Sequence, residues 1–331
     1  MKKILEMDAL NVGFIVNKQC VSVVHDLSLD IYENEVLAII GETGCGKSVT
    51  GNAVLHLLPD NAVTTGKIYF DGDIDILAMS DEEYRPLRGD RIMTIPQSPV
   101  TSLDPLMCVG RQVSECVSGN RKNRNSKSNE IKGRVLDIFR KLHLPREEWI
   151  YDHFPCELSG GMCQRILIAM GVLTHPKLLV VDEPTKAIDW ALRKDVVNML
   201  MMLKAEMHCA MLLITHDIPL AAKLSDRVGV MYAGEIVELG DTDRVLSSPT
   251  HPYTKGLIAS MPQNGFHSMK GFMPSFSNMA PGCRFHDRCP VRSNRCQVNM
   301  PPMHSLGGSH SVRCHCLGKI DQKEELFYAG S

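Results

Sequence analysis

Three short stretches of this chain carry side chains whose types and spacing suit chemistry on phosphate. Gly41-Glu42-Thr43-Gly44-Cys45-Gly46-Lys47-Ser48, followed by Val49, satisfies the G-x-x-x-x-G-K-[ST] pattern of a phosphate loop over its eight residues to Ser48. Glycines let the backbone turn so tightly that its N–H groups converge on phosphate oxygens. Lys47 then neutralises the β- and γ-phosphates, and the Ser48 hydroxyl ligates magnesium. The second stretch, Leu178 to Glu183, runs apolar residues into two adjacent carboxylates, a costly arrangement without a charge to meet. Asp182 is placed to hold magnesium through water, and Glu183 to polarise the water that attacks the γ-phosphate. In the third, Leu158-Ser159-Gly160-Gly161-Met162, Ser159 can cap the helix that follows while the glycines admit an anion to its N-terminus.

These groups need elements to hold them. Val36 to Ile40 reads as a buried strand, the glycine loop follows it at once, and apolar residues at helical spacing run from Ser48 to Leu58. Leu178 to Asp182 and Ala210 to Thr215 are further buried-strand runs separated by the helical Trp190 to Met207. Such alternation implies a mostly parallel sheet. Alternating runs from Ile4 to Ile31 read as antiparallel strands, and residues from about Asp104 to Pro176 read as helical, interrupted by a basic polar insert, Arg121 to Asn129.

With 331 residues, the chain exceeds what one core usually supports, so two domains are expected. A boundary near residue 246 divides an α/β nucleotide-binding domain, 1–245, from a proline-punctuated extension, 246–331. Composition is that of a globular protein, 44% hydrophobic and 22% charged, and a net charge of -2 argues against a nucleic-acid partner. No stretch approaches the roughly 20 apolar residues that span a bilayer, and no cleavable leader is evident after Met1, which predicts a cytoplasmic location. Seven of the 12 cysteines are scattered, whereas Cys283, Cys289, Cys296, Cys314 and Cys316 crowd into the extension. In a reducing compartment that crowding suggests metal rather than disulfides. Four thiols in a segment with little apolar material, Cys283, Cys289, Cys296 and Cys314, read as an iron–sulfur or zinc site. The absence of C-x-x-C pairs among them favours iron.

Taken together, residues 4 to about 260 resemble the ATPase subunits of ABC transporters, in which a signature like Leu158 to Gln164 lies just upstream of a strand like Leu178 to Glu183. The resemblance implies a P-loop NTPase (RecA-like) core with an antiparallel β subdomain and an α-helical subdomain, about residues 104–176, plus the small Cys-rich extension. It also implies ATP and Mg2+ as cofactors. Gln97 resembles the Q-loop glutamine that senses magnesium and attacking water, and Ala187-Ile188-Asp189 the D-loop. His216 resembles the switch histidine that contacts the γ-phosphate, and Phe14 the aromatic that stacks on adenine. Ser159, Gly160 and Gly161 are implied to close over ATP bound by a second, homologous ATPase subunit in a head-to-tail dimer. Lys186, Ile188, Cys163 and Asn34 depart from the usual pattern, but none removes a catalytic group.

More narrowly, His251 to Leu257 and Gly282 to Pro290 resemble the C-terminal extension of oligopeptide/dipeptide importer ATPases, a branch shared with nickel and metallophore importers. Some members are thought to carry a [4Fe-4S] cluster there, with zinc the alternative, and Cys316 and His315 lie where they could compete as ligands. The resemblance implies a heterodimer on the cytoplasmic face of the membrane, two permease subunits and, indirectly, an extracytoplasmic solute-binding protein. A soluble ABC factor acting on nucleic acid or ribosomes is the rival reading, and the chain lacks the second cassette or coiled-coil insertion such proteins carry.

Overall fold

The computed structural model of the protein describes residues 1–118, 128–186, 190–265 and 267–317. It divides into two compact units, one of residues 1–5, 31–36 and 70–213, the other of residues 6–30, 37–69 and 214–331.

In the first unit, strands Ile92–Ile95 and Leu178–Asp182 pair in parallel with Ile95 opposite Val181. Leu178 to Val181 are all buried, as befits a parallel strand covered on both faces of its sheet. The helical part is built on Val109–Ser118, which packs against Ser128–Lys141, Glu147–Tyr151 and Gly160–Val172. Buried Gln112 steadies the segment ahead of it: its amide donates to the Asp104 and Met107 carbonyls at 2.9 and 2.8 Å, and its carbonyl accepts from Asp104 N–H at 2.9 Å. Elsewhere Asp71 is gripped by Lys2, Arg91 and Lys177. Burial works to raise its pKa, but hydrogen bonds from Lys177 and Lys2 and the charge of Arg91 hold it below the usual carboxylate range.

In the second unit, strands lie in the order Met303–Ser305, Ser311–Arg313, Glu235–Asp241, Arg227–Tyr232, Val36–Ile40. The last two are parallel and the other neighbours antiparallel. The proline-rich extension thus supplies two strands to the sheet that carries the phosphate loop. A second sheet places Lys3–Val16 between Gln19–Tyr32 and Ala62–Phe70.

The strands Val36–Ile40, Leu178–Asp182 and Ala210–Thr215 and the helix Trp190–Met207 lie where the pattern puts them. Asn34 takes φ 63°, the left-handed turn that asparagine tolerates. The helix after the phosphate loop is shorter than its apolar spacing suggests, Lys47–Val54 rather than Ser48 to Leu58. Pro59 disfavours helical backbone at Leu58, His56 turns left-handed at φ 53°, and Leu57 is left 50% exposed.

Candidate nucleotide site

The phosphate loop leaves strand Val36–Ile40, whose five side chains are all buried. Ile40 lies opposite Val230 in the neighbouring parallel strand, which brings Gly41 against Met231. A Cβ on Gly41 would stand 2.2 Å from the Met231 carbonyl oxygen, so only glycine fits there. Gly46 enters the next helix at φ 109°, a conformation L side chains avoid. The Lys47 ammonium donates to the carbonyls of Gly41 and Glu42 at 2.9 and 3.0 Å and is held inside the turn. Burial raises the Cys45 thiol and keeps it neutral. Glu42 and Thr43 form the outer part of the loop, and Ser48 and Val49 lie in the first turn of the helix.

In the first unit, Gln97 lies two residues beyond Ile95 and Asp182 one beyond Val181, so both stand at the carboxyl ends of adjacent parallel strands. That is where α/β sheets collect their ligands. Glu183 follows, buried and at φ 47°. A non-glycine residue in this region stores strain that surrounding structure must hold, as it does at reactive positions. Ser159 caps helix Gly160–Val172, its hydroxyl accepting from Met162 N–H at 3.3 Å, with Gly160 exposed and Gly161 half-buried. In the second unit, His216 is exposed just past strand Ala210–Thr215, and Phe14 is half-buried on Lys3–Val16.

In the second unit an ammonium inside a glycine turn and a hydroxyl at the helix start suit phosphate, and in the first unit carboxylates stand at strand ends. A family model described as ABC transporter matches residues 24–186, and one described as the C-terminal region of oligopeptide/dipeptide transporters matches residues 237–296. The chain is 34% identical over 324 residues to the oligopeptide transport ATP-binding protein AppD of Bacillus subtilis, covering 95% of this chain and 97% of the relative. The chain belongs to the ABC transporter ATPases.

It is also 36% identical to the dipeptide transport ATP-binding protein DppD of B. subtilis, over 95% of each chain, and 34% identical to DppD of Escherichia coli, over 94% of this chain and 96% of that one. The fold matches the MJ0796 ATP-binding cassette, solved as a dimer bound to ADP and Pi, with a TM-score of 0.65 at 24% identity, over 72% of this chain and 99% of that one. Among the described residues, no helix is long and apolar enough to cross a membrane.

Two expectations for this ABC ATPase are refined. Ala187, Ile188 and Asp189 of the D-loop lie outside the described residues. In the extension, Cys283, Cys289, Cys296, Cys314 and Cys316 share one small core with Val291, Val312 and Leu317. The Cys296 and Cys316 sulfurs lie 3.9 Å apart, so the fifth cysteine packs within the same core as the expected four. Among the described residues, no three His, Cys, Asp or Glu side chains are arranged as a metal site, so the geometry does not carry the [4Fe-4S] or zinc expectation. Burial pushes the Cys283 and Cys289 thiols up to about 12 and Cys314 up to about 11. Burial acts the same way on Cys296, but hydrogen bonds from Ser293 and Cys316 outweigh it and lower its pKa.

Two residues beside the phosphate loop escaped sequence reasoning. The Tyr253 hydroxyl accepts the Glu42 N–H at 2.9 Å, and Arg288 pairs with the Glu42 carboxylate at 3.0 Å. Both belong to the stretches that resemble the importer extension, yet spacing alone cannot reveal a contact spanning more than 200 residues.

Proposed function

We propose that this ABC ATPase binds and hydrolyses MgATP at the phosphate loop and drives a membrane importer of dipeptides or oligopeptides. The observation that carries the reading is the pairing of strands Ile92–Ile95 and Leu178–Asp182, which sets Gln97, Asp182 and Glu183 together at one sheet end. Lys47 and Ser48 hold the phosphates and the ion, and Asp182 and Gln97 complete the ion's surroundings. Bound magnesium neutralises charge that builds on the phosphate oxygens. Glu183 takes a proton from the attacking water, and His216 orients the γ-phosphate. Phe14 stacks on adenine. Ser159, Gly160 and Gly161 face ATP held by a homologous second ATPase subunit, and the signature's ending in Gly161-Met162 favours a heterodimer as the working form.

The partners proposed are two permeases at the cytoplasmic face of the membrane and, beyond it, a solute-binding protein. Leu106, 87% exposed on the segment that Gln112 braces, suits a contact between Gln97 to Val109 and a permease. Peptide import follows from the names of the relatives, and nickel or metallophore import is the second reading. Co-reconstitution with peptide-importer permeases and a binding protein discriminates: dipeptide-stimulated ATP hydrolysis supports the first, and stimulation only by a nickel chelate supports the second. The finer proposal for the extension, a [4Fe-4S] cluster or zinc on Cys283, Cys289, Cys296 and Cys314, rests on their sequence spacing and crowding. Anaerobic purification with iron, sulfide and zinc analysis tests it, and absence of all three sinks it.

A further inference from the structure

An anion-binding loop that carries a carboxylate of its own faces an electrostatic problem. Glu42 is the second residue of the phosphate loop, and a polyphosphate entering that loop meets a like charge. The structure answers with a residue from the far end of the chain. Arg288 Nη1 lies 3.0 Å from one Glu42 carboxylate oxygen and 3.1 Å from the other. Its side chain is 7% exposed and that of Glu42 29%, so solvent screens the pair less than a fully exposed ion pair.

The guanidinium is itself fixed. Its Nε donates to the Lys270 carbonyl at 3.2 Å and Nη1 to the Tyr232 hydroxyl at 3.4 Å, and it lies over the Tyr232 and Phe285 rings at 5.6 and 5.8 Å. Tyr253 fixes the same loop residue from the backbone side by accepting its N–H. Arg284, Phe285 and Arg288 all fall between Cys283 and Cys289, so the thiol core anchors both ends of the segment that aims them.

We propose that Arg288 is a positioning residue of the nucleotide site: it acts through Glu42, turning the carboxylate aside and cancelling its charge so that the loop accepts a polyphosphate. The inference rests on the phosphate loop being the ATP site, and a Lys47→Ala variant checks that separately. In the full-length chain, calorimetric titration with ATP and Mg2+ reads the affinity. Arg288→Met should raise Kd about tenfold, equivalent to about 1.4 kcal/mol, and Arg288→Lys should recover most of the loss. Adding Glu42→Gln to Arg288→Met should restore Kd to within about threefold of the parent, because the charge needing cancellation is gone.

A merely structural Arg288 would not be rescued by removing its partner. An unchanged Kd in Arg288→Met, or a failure of Glu42→Gln to rescue it, overturns the proposal. Should Arg288→Met not fold, Glu42→Gln alone decides: affinity equal to or above the parent supports charge cancellation, and a loss beyond about threefold overturns it. Normal binding by Lys47→Ala would instead show that ATP sits elsewhere and remove the ground for both readings.

Discussion

Strand Val36–Ile40 delivers the phosphate loop by burying five consecutive apolar side chains, of which the four larger than Ala38 contribute roughly 1.5–3 kcal/mol each. The cysteine extension reaches the same unit by a different route. Beside a buried aromatic cluster of Tyr253 and Phe285 on Tyr232, it docks through ionised or polar side chains: Arg284 on Glu235 at 3.0 Å, His310 on Glu238 at 2.9 Å, Arg313 on Asp26 at 3.1 Å and Arg288 on Glu42. The first two pairs are almost wholly buried. Burying charge in pairs adds little net stability, yet losing one partner leaves the other stranded. The core therefore tolerates substitution gradually, whereas the extension answers abruptly to single changes.

The largest expected effect lies on the core side. Glu183→Gln should lower kcat for ATP hydrolysis about 10²–10⁴-fold while ATP still binds, the range for losing a general base. Steady-state turnover beside equilibrium binding checks it, and normal turnover would remove Glu183 from the chemistry. On the extension side, Glu238 accepts the N–H groups of Thr250 and His251 at 2.8 and 2.9 Å besides pairing with His310. Glu238→Ala should cost about 3–5 kcal/mol in urea unfolding, the range for breaking a buried pair. A cost below 1 kcal/mol, roughly the surface-pair range, would erase the contrast between the two regions.

A graded form of the same weakness comes from pH. Burial drives His251 down to about 3 from its ordinary 6.5. The unfolded chain binds that proton first, so the stability contributed by neutral His251 is complete above 6.5 and drains as pH falls towards 3. Urea midpoints at successive pH values should fall across that window and fall less in His251→Asn. Gln112→Ala, which strands three backbone groups in the first unit, should cost roughly 1–3 kcal/mol and weaken co-purification with the permeases. Smallest is Tyr253→Phe, which removes one hydrogen bond to the loop and should cost about 1 kcal/mol. Its effect on ATP affinity should stay below that of Arg288→Met.

The same contrast decides what could be read from residues in order. Strands Val36–Ile40 and Leu178–Asp182 are legible because their burial is written in consecutive apolar letters. The phosphate loop is legible because only glycine suits the backbone at Gly41 and Gly46. Ser159 is legible as a cap because its partner Met162 is three residues away. The Arg288 to Glu42 pair spans 246 residues, and nothing at either end marks the other. The helix after the loop stops early because a backbone restriction at Leu58 overrides an apolar spacing that continues past it. The cysteines announce a shared core by crowding, but their mutual arrangement depends on strands Met303–Ser305 and Ser311–Arg313, too short to show a pattern of their own.

The 246-residue separation between Glu42 and Arg288 also has a meaning in time. A ribosome adding about 5–20 residues per second finishes the loop some 12–50 s before it supplies the arginine. During that interval the nascent chain carries its glycine turn and Lys47 but an uncancelled carboxylate. A chain broken off before the extension stays in that condition permanently. If Arg288 cancels the Glu42 charge as proposed, full nucleotide affinity is reached only once the chain has been made past residue 288.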